Sequence, residues 1–146
     1  MSLQLKKAKK KDFRKLARIY VEGYSEPPFN EPWTLKKALL KLKLFSKYCD
    51  IWSIYADKKL VGFIIMNPNQ WCPGEIVFGE EMAIEKLYRR KGIATDILKK
   101  ILNIYKNRGY KRFMGIVNKN ANSFGLHKKV RANKSKKDFI IEKKLK

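Results

Sequence analysis

The fold is decided by the stretch from Glu80 to Ala94, which reads EEMAIEKLYRRKGIA. Its beginning continues a strand pattern that starts near residue 75, and Gly79 marks the place where a bulge is expected. The stretch then continues into a cationic turn that ends at Gly92. A helix is predicted next, because apolar residues recur on one face and Gly109 follows the last of them. These apolar residues are Ile93, Ala94, Ile97, Leu98, Ile101, Leu102 and Tyr105.

The turn between this strand and this helix has the chemistry of a phosphate site. The first amides of a helix have no partner within it and carry a partial positive charge. Gly92 lets a phosphate approach the backbone closely, and the cations Arg89, Arg90 and Lys91 stand directly before it. We therefore expect a diphosphate group at this helix N-terminus. The alternative is an ordinary strand-to-helix turn on a lysine-rich surface.

The remaining sequence predicts a mixed sheet with helices on both faces. Hairpin strands come first and a strand–helix–strand unit follows, which indicates an α/β fold whose sheet is mostly antiparallel with one parallel βαβ unit. Further helices are predicted at 11–22, after a cap at Thr34, and from Asn120 or Asn122 to about Val130. Strands are predicted at 3–7, 51–56, 60–66, 75–85, 113–117 and 139–141. The length of 146 residues suits a single domain, 1–146.

The composition is that of a globular protein with a large positive charge. Hydrophobic residues make up 45% of the chain, and 35 Lys+Arg against 13 Asp+Glu give a net charge of +22. Such a field attracts polyanions, although a lysine-rich solvated surface explains the charge equally well. Neither a secretory signal nor a membrane-spanning run is visible, so we expect a cytoplasmic protein without a membrane partner. One histidine and two isolated cysteines argue against a zinc site.

Two motifs in the sequence resemble those of the GNAT superfamily of N-acetyltransferases. The first is Q/R-x-x-G-x-G/A after a strand, and Arg89, Gly92 and Ala94 fill its fixed positions. The second is N-x-x-A/S-x-x-L-Y/H-x-K, which is similar to the stretch from Asn120 to Lys129. Together the matches cover about residues 75–130. After the second motif Arg131 and Ala132 stand where the family usually has Gly-Phe.

This resemblance implies acetyl-coenzyme A as the cofactor. The amides from Arg90 to Thr95 would hold its diphosphate, while Met82 and Ile84 would pair through their backbone with the pantetheine arm as if it were an added strand. A backbone N–H of Met82 or Ala83 would stabilise the carbonyl oxygen. The residues expected to bind the cofactor are Met82, Ala83, Ile84, Arg89, Arg90, Lys91, Gly92, Ile93, Ala94, Thr95, Asn120, Ser123, Leu126 and Lys129.

The reaction that the resemblance implies is direct attack of an amine on a thioester, which needs a base and a proton for the leaving thiolate. Glu80 is the first candidate for the base, because regular pairing would place its side chain on the same face as Met82 and Ile84. A bulge at Gly79 would favour Glu81 instead. His127 is the candidate acid, because imidazole titrates near pH ~6.5. The alternatives are solvated carboxylates and an exposed or packing histidine.

The acceptor would bind beside the proline-rich loop from residue 23 to 33. Tyr24, Phe29 and Trp33 could wall a pocket, and Glu26 and Glu31 could attract an amine; alternatively, the aromatic rings only pack the loop onto the sheet. A small molecule or a protein could carry the amine. The long-range charge of +22 slightly favours a neutral or anionic amine or a protein N-terminus.

Two other functions remain open at this point. Nine Lys/Arg lie between Lys128 and Lys146 against two acids, which is compatible with a basic nucleic-acid-binding module or with an enzyme that works near nucleic acid or ribosomes. The second alternative is a GNAT domain that binds coenzyme A without catalysing a reaction. The sequence is also compatible with a homodimer.

Overall fold

Five strands form one sheet in chain order, β1-β2-β3-β4-β5, in a computed structural model that describes residues 1–146. Pairing is antiparallel from β1 to β4, and β5 joins β4 in parallel. The strands are β1 (Leu3–Lys7), β2 (Asp50–Ala56), β3 (Lys59–Asn67), β4 (Ile76–Ile84) and β5 (Arg112–Gly115). The helices are α1 (Phe13–Tyr24), α2 (Leu35–Phe45), α3 (Ile93–Asn107) and α4 (Ser123–Lys129). The mixed fold predicted from the sequence is confirmed.

The helix boundaries follow local chemistry. Thr34 caps α2 as predicted, since its hydroxyl accepts a hydrogen bond from the Lys37 amide at 3.2 Å. Gly109 follows α3 with a φ of +92°, a conformation that glycine adopts without strain. Asn122 stands at the N-cap of α4, but its side chain makes no capping bond. The predicted ends of the elements therefore hold to within a few residues.

The two faces of the sheet carry separate apolar cores. Helices α1 and α2 cover one face, where Leu16, Tyr20 and Leu42 are completely buried against β2, β3 and β4. Helix α3 covers the other face with Ile97 and Ile101. Because side chains alternate between faces along a strand, the two faces of β4 deliver different residues to the two cores.

Close packing of β3 against β4 depends on Gly62. A Cβ atom at this position would lie 2.5 Å from the carbonyl oxygen of Ala83, so we expect Gly62→Ala to lower the free energy of unfolding by about 1–3 kcal/mol. Gly125 in α4 has open space around it, and Gly125→Ala should leave stability unchanged or raise it by up to about 1 kcal/mol. Urea denaturation of both variants tests the difference; equal midpoints would refute the packing argument.

A bulge interrupts β4 beside Gly79, as predicted. Ile65 pairs with Glu81 and Met66 pairs with Gly79, so Glu80 has no cross-strand partner. The extra residue changes the side-chain alternation of β4, and it places Glu80 and Glu81 in different surroundings.

The predicted last strand at 139–141 is wrong. The chain after α4 contains no further strand, and Phe139 and Ile141 are 90% and 93% exposed. Three adjacent apolar residues resemble a strand in sequence, but here no neighbouring strand pairs with them. None of the helices combines the length and apolar character needed to cross a membrane.

Candidate functional site

The loop that joins β4 to α3 presents a run of unpartnered amides. Arg90 and Gly92 have positive φ values of +64° and +79°, and Gly92 is the N-cap of α3. The first amide of this helix to donate within the protein belongs to Asp96, which bonds to the Gly92 carbonyl at 3.1 Å. The six amides from Arg90 to Thr95 donate to no protein acceptor. Together with the helix dipole, they form an anion-binding concavity.

The cations of this loop divide into two roles. Arg89 is half-buried: its Nε donates to the Ile84 carbonyl at 2.8 Å, and its guanidinium lies 3.3 Å from Glu26 and 3.7 Å from Glu22. It therefore ties the loop to the end of α1, whereas the sequence alone predicted three cations for phosphate. Arg90 and Lys91 are exposed and form no salt bridge.

An open edge of β4 begins where β5 leaves it. The parallel pairing runs only from Ile76 to Gly79, which pairs with Gly115. Beyond this point the Tyr24 hydroxyl bonds the backbone of Met82, donating to its carbonyl at 3.1 Å and accepting from its amide at 3.3 Å. The edge of β4 at Met82 is therefore held by a side chain rather than by a strand.

Glu81 lies on the face of the sheet that α1 covers. Its Oε1 accepts a hydrogen bond from the Tyr20 hydroxyl at 2.8 Å, whereas the Tyr24 hydroxyl donates to the Met82 carbonyl. Burial raises the pKa of Glu81 above its ordinary value, and the hydrogen bond from Tyr20 offsets part of this effect. A carboxylate with a raised pKa is a suitable proton acceptor near neutral pH.

The raised pKa of Glu81 predicts a pH-dependent cost to stability. Above the raised pKa the native state holds a partly desolvated charge that the unfolded chain holds in water. We expect Glu81→Gln to raise Tm at pH 7, and the gain to vanish as the pH falls below the ordinary value of 4.5. Thermal unfolding at pH 4 and pH 7 measures this; an equal gain at both pH values would contradict it.

Glu80 has different surroundings. Its Oε1 accepts from the Asn67 side chain at 2.9 Å, and Asn67 is 3% exposed. The same amide also donates to Gln70 at 3.1 Å. Glu80 thus belongs to a polar network at the end of β3, away from the tyrosines that surround Glu81.

The second motif places His127 near the point where β4 and β5 separate. Its ring stacks on Phe113 of β5 with centroids 6.2 Å apart, and a Cβ on Gly79 would lie 2.9 Å from the Phe113 ring. Burial lowers the pKa of His127, so the imidazole is neutral at pH 7. Of the other residues of this motif, Leu126 packs on the α3 core, Ser123 begins α4, and Asn120 and Lys129 are exposed.

The predicted acceptor loop does gather its aromatic rings beside Glu81. Trp33 lies 4.5 Å from Tyr20 and Phe29 lies 4.9 Å from Tyr24, measured between ring centroids. Trp33 also donates its indole N–H to Glu31 at 2.9 Å. Glu26 differs from the prediction, because salt bridges to Lys86 and Arg89 occupy it.

Sequence reasoning missed Tyr20, Asn67 and Glu22. Tyr20 is fully buried on the face of α1 that packs against the sheet. Its partner Glu81 is 61 residues away along the chain, so no local pattern could connect them. The only available signal was a hydroxyl group on an otherwise apolar helix face, since a buried polar atom needs a partner.

The comparisons with known proteins agree with this geometry. A family model described as "Acetyltransferase (GNAT) family" matches residues 13–131. The chain therefore belongs to the GNAT acetyltransferase family. No curated protein sequence matches the chain significantly.

Solved structures of the same fold cover nearly the whole chain. A possible acetyltransferase from Clostridium difficile 630 has a TM-score of 0.80 at 14% identity, covering 100% of both chains. An aminoglycoside 6'-N-acetyltransferase from Acinetobacter haemolyticus has a TM-score of 0.72 at 16% identity, covering 98% of this chain and 99% of that one. The acetyltransferase AAC(6')-Iy, solved with a bisubstrate analogue of coenzyme A, has a TM-score of 0.73 at 13% identity, covering 99% of both chains. At these identities the similarity establishes the fold alone.

Proposed function

We propose that the protein transfers an acetyl group from acetyl-coenzyme A to a primary amine by direct attack. One observation carries this proposal: the six unpartnered amides from Arg90 to Thr95 adjoin an open edge of β4. A partly buried carboxylate, Glu81, lies on the same strand. A diphosphate site, a strand edge and a base are the three elements that such a reaction needs.

The residues present fit coenzyme A. Its diphosphate matches the amides of the loop, with Arg90 and Lys91 as free cations. Its pantetheine arm has amide N–H groups of its own, one of which could replace the Tyr24 hydroxyl as the donor to the Met82 carbonyl. When bound, the cofactor supplies the acetyl thioester. Asn120, Ser123, Leu126 and Lys129 would complete the binding site from the α4 side.

Glu81 is the residue that we assign as the base. A primary amine is mostly protonated at neutral pH, and Glu81 would take its proton directly or through a water molecule. Tyr20 orients the carboxylate from the α1 side. Glu80 remains bonded to Asn67 and is assigned a structural role.

Two further groups, the Met82 amide and His127, would act on the carbonyl oxygen and on the sulfur of the thioester. The Met82 amide points to the open edge of β4, so it is the candidate donor to the carbonyl oxygen. His127 is neutral at pH 7, because burial lowers its pKa. It would therefore donate a hydrogen bond to the leaving sulfur, and the second proton that the attacking amine loses would pass to the thiolate.

The acceptor would enter between the aromatic loop and β4. Tyr24, Phe29 and Trp33 supply the walls, and the carboxylates of Glu31 and Glu81 attract an ammonium group locally. This local acidity counteracts the long-range repulsion of a protein that carries a net charge of +22. A small primary amine or an exposed protein amine fits these features.

A panel of primary amines tests the proposal directly. The protein and acetyl-coenzyme A are incubated with each amine, and the released thiol is measured. Release that depends on the amine supports the enzyme. Thermal stabilisation by coenzyme A without thiol release from any amine would instead identify a non-catalytic binding domain, and the absence of stabilisation at millimolar ligand would refute cofactor binding.

A further inference from the structure

Two open clefts adjoin each other on the side of the sheet that α3 covers. The first lies between α3 and α4 and has a volume of about 350 Å³. The second lies between β5 and the chain after α4 and has a volume of about 570 Å³. Arg131 lines both clefts, so they adjoin at this residue, and the two together are called the groove below. The cations that line this groove are Lys99, Lys106, Arg112, Lys129, Arg131, Lys134, Lys136 and Lys137.

Few acidic groups offset the charge of this groove. No acidic residue lines either cleft, and the Asp138 carboxylate, which accepts a hydrogen bond from the Ser135 hydroxyl, is the one acidic side chain bonded to a lining residue. None of the eight cations takes part in a salt bridge, although six other Lys and Arg residues of the protein do. Mutual repulsion of so many neighbouring cations is unfavourable without a counterion, so the groove favours a ligand with several negative charges.

We propose that this groove binds a single strand of nucleic acid. Lys99 and Lys106 are seven residues apart on α3, or about 10 Å along the helix axis, so the first cleft alone can follow more than one phosphate. The cations follow one line from α3 across β5 to the tail beyond α4, and such a line suits an extended strand. Phe139, which is 90% exposed on the same cationic tail, offers a ring on which a base can stack.

The groove is separate from the proposed diphosphate site and shares only Lys129 with the residues proposed to bind coenzyme A. The diphosphate would lie on the amides that precede Asp96, whereas the groove follows the later turns of α3, β5 and the tail beyond α4. Binding of nucleic acid therefore goes beyond acetyl transfer, and the two can succeed or fail independently.

The experiment measures the affinity of a labelled twelve-nucleotide oligouridine as a function of salt. For a single strand, each neutralised phosphate contributes a slope of about −0.7 to log K against log salt. The variant Lys106→Gln/Lys134→Gln/Lys136→Gln/Lys137→Gln should weaken binding at least tenfold and flatten the slope by up to about 2.8. All four side chains belong to exposed residues, so the fold should be unaffected.

The control variant removes the same charge from the opposite side of the sheet. Lys10→Gln/Lys36→Gln/Lys43→Gln/Lys47→Gln lowers the net charge equally at exposed positions on and around α1 and α2. This control should change the salt slope by less than about 1, because its cations do not lie along the proposed path of the oligonucleotide. An equal loss in both variants would show a general charge effect and would overturn the proposal.

Two further measurements complete the test. Phe139→Ala should weaken oligouridine binding about five- to tenfold without changing the salt slope, because it removes stacking and no charge. Saturating coenzyme A should weaken oligonucleotide binding by less than about threefold, because only one of the eight groove cations, Lys129, is shared with the cofactor site. Displacement by coenzyme A would assign the groove to the cofactor. Tight binding to phosphatidylserine vesicles with no binding to oligouridine would assign it to a membrane surface, and either result would overturn the proposal.

Discussion

Glu81→Gln is expected to lower kcat by a factor of about 10²–10³, because it removes the proton acceptor and keeps the shape of the side chain. The Tyr20 hydroxyl can still donate to the amide oxygen of glutamine, so the packing around β4 should persist. Binding of coenzyme A, measured by titration calorimetry, should change by less than about twofold, since the diphosphate loop begins at Arg90. A steady-state thiol-release assay with the best amine of the panel measures kcat.

Glu80→Gln is the matched control for this prediction. It makes the same chemical change one residue earlier, at a carboxylate that bonds to Asn67, and kcat should stay within about threefold of the original protein. The acid limb of the pH profile of kcat/KM should lie above the ordinary pKa of 4.5, because burial raises the pKa of Glu81. If Glu80→Gln abolishes turnover and Glu81→Gln does not, the base has been assigned to the wrong residue.

Gly92→Ala is expected to weaken binding of coenzyme A at least tenfold, or about 1.4 kcal/mol. Gly92 has a φ of +79° at the N-cap of α3, and a Cβ there stands on the surface that a diphosphate must approach. The left-handed conformation costs alanine roughly 1–2 kcal/mol, so the loop would tend to relax and turn its amides away. Titration calorimetry with coenzyme A measures the loss.

Gly109→Ala provides the control at the other end of the same helix. Gly109 has a similar φ of +92°, and at both glycines a Cβ would meet nothing within 4 Å. Both variants should therefore lose comparable stability in urea, but only Gly92→Ala should lose affinity for coenzyme A. Equal affinities in the two variants would mean that the amides from Arg90 to Thr95 do not hold the diphosphate.

Part of the candidate site could be predicted because its information is local. The turn before α3 could be read from Gly92, the cations before it and the apolar stripe after it, since helix formation and amide exposure depend on neighbouring residues. The bulge beside Gly79 was predicted for the same reason. The apolar run at Phe139 shows what local information leaves out. Three apolar residues indicate a strand, but a strand also needs a neighbouring strand to pair with, and the run itself does not specify one.

The sequence by itself determined the mixed sheet, the βαβ unit and the exposed amides of the α3 N-terminus, because each follows from periodicity and from residues adjacent in the chain. Only the tertiary structure decided which carboxylate bonds to the buried tyrosine of α1. The bulge leaves Glu80 unpaired, and Tyr20 of α1 reaches Glu81 from 61 residues away. The tertiary structure also decided that Arg89 forms a salt bridge with Glu26 at the end of α1, and that eight cations lie along one groove. These arrangements depend on burial and on contacts between distant segments, which form only when the helices pack on the sheet.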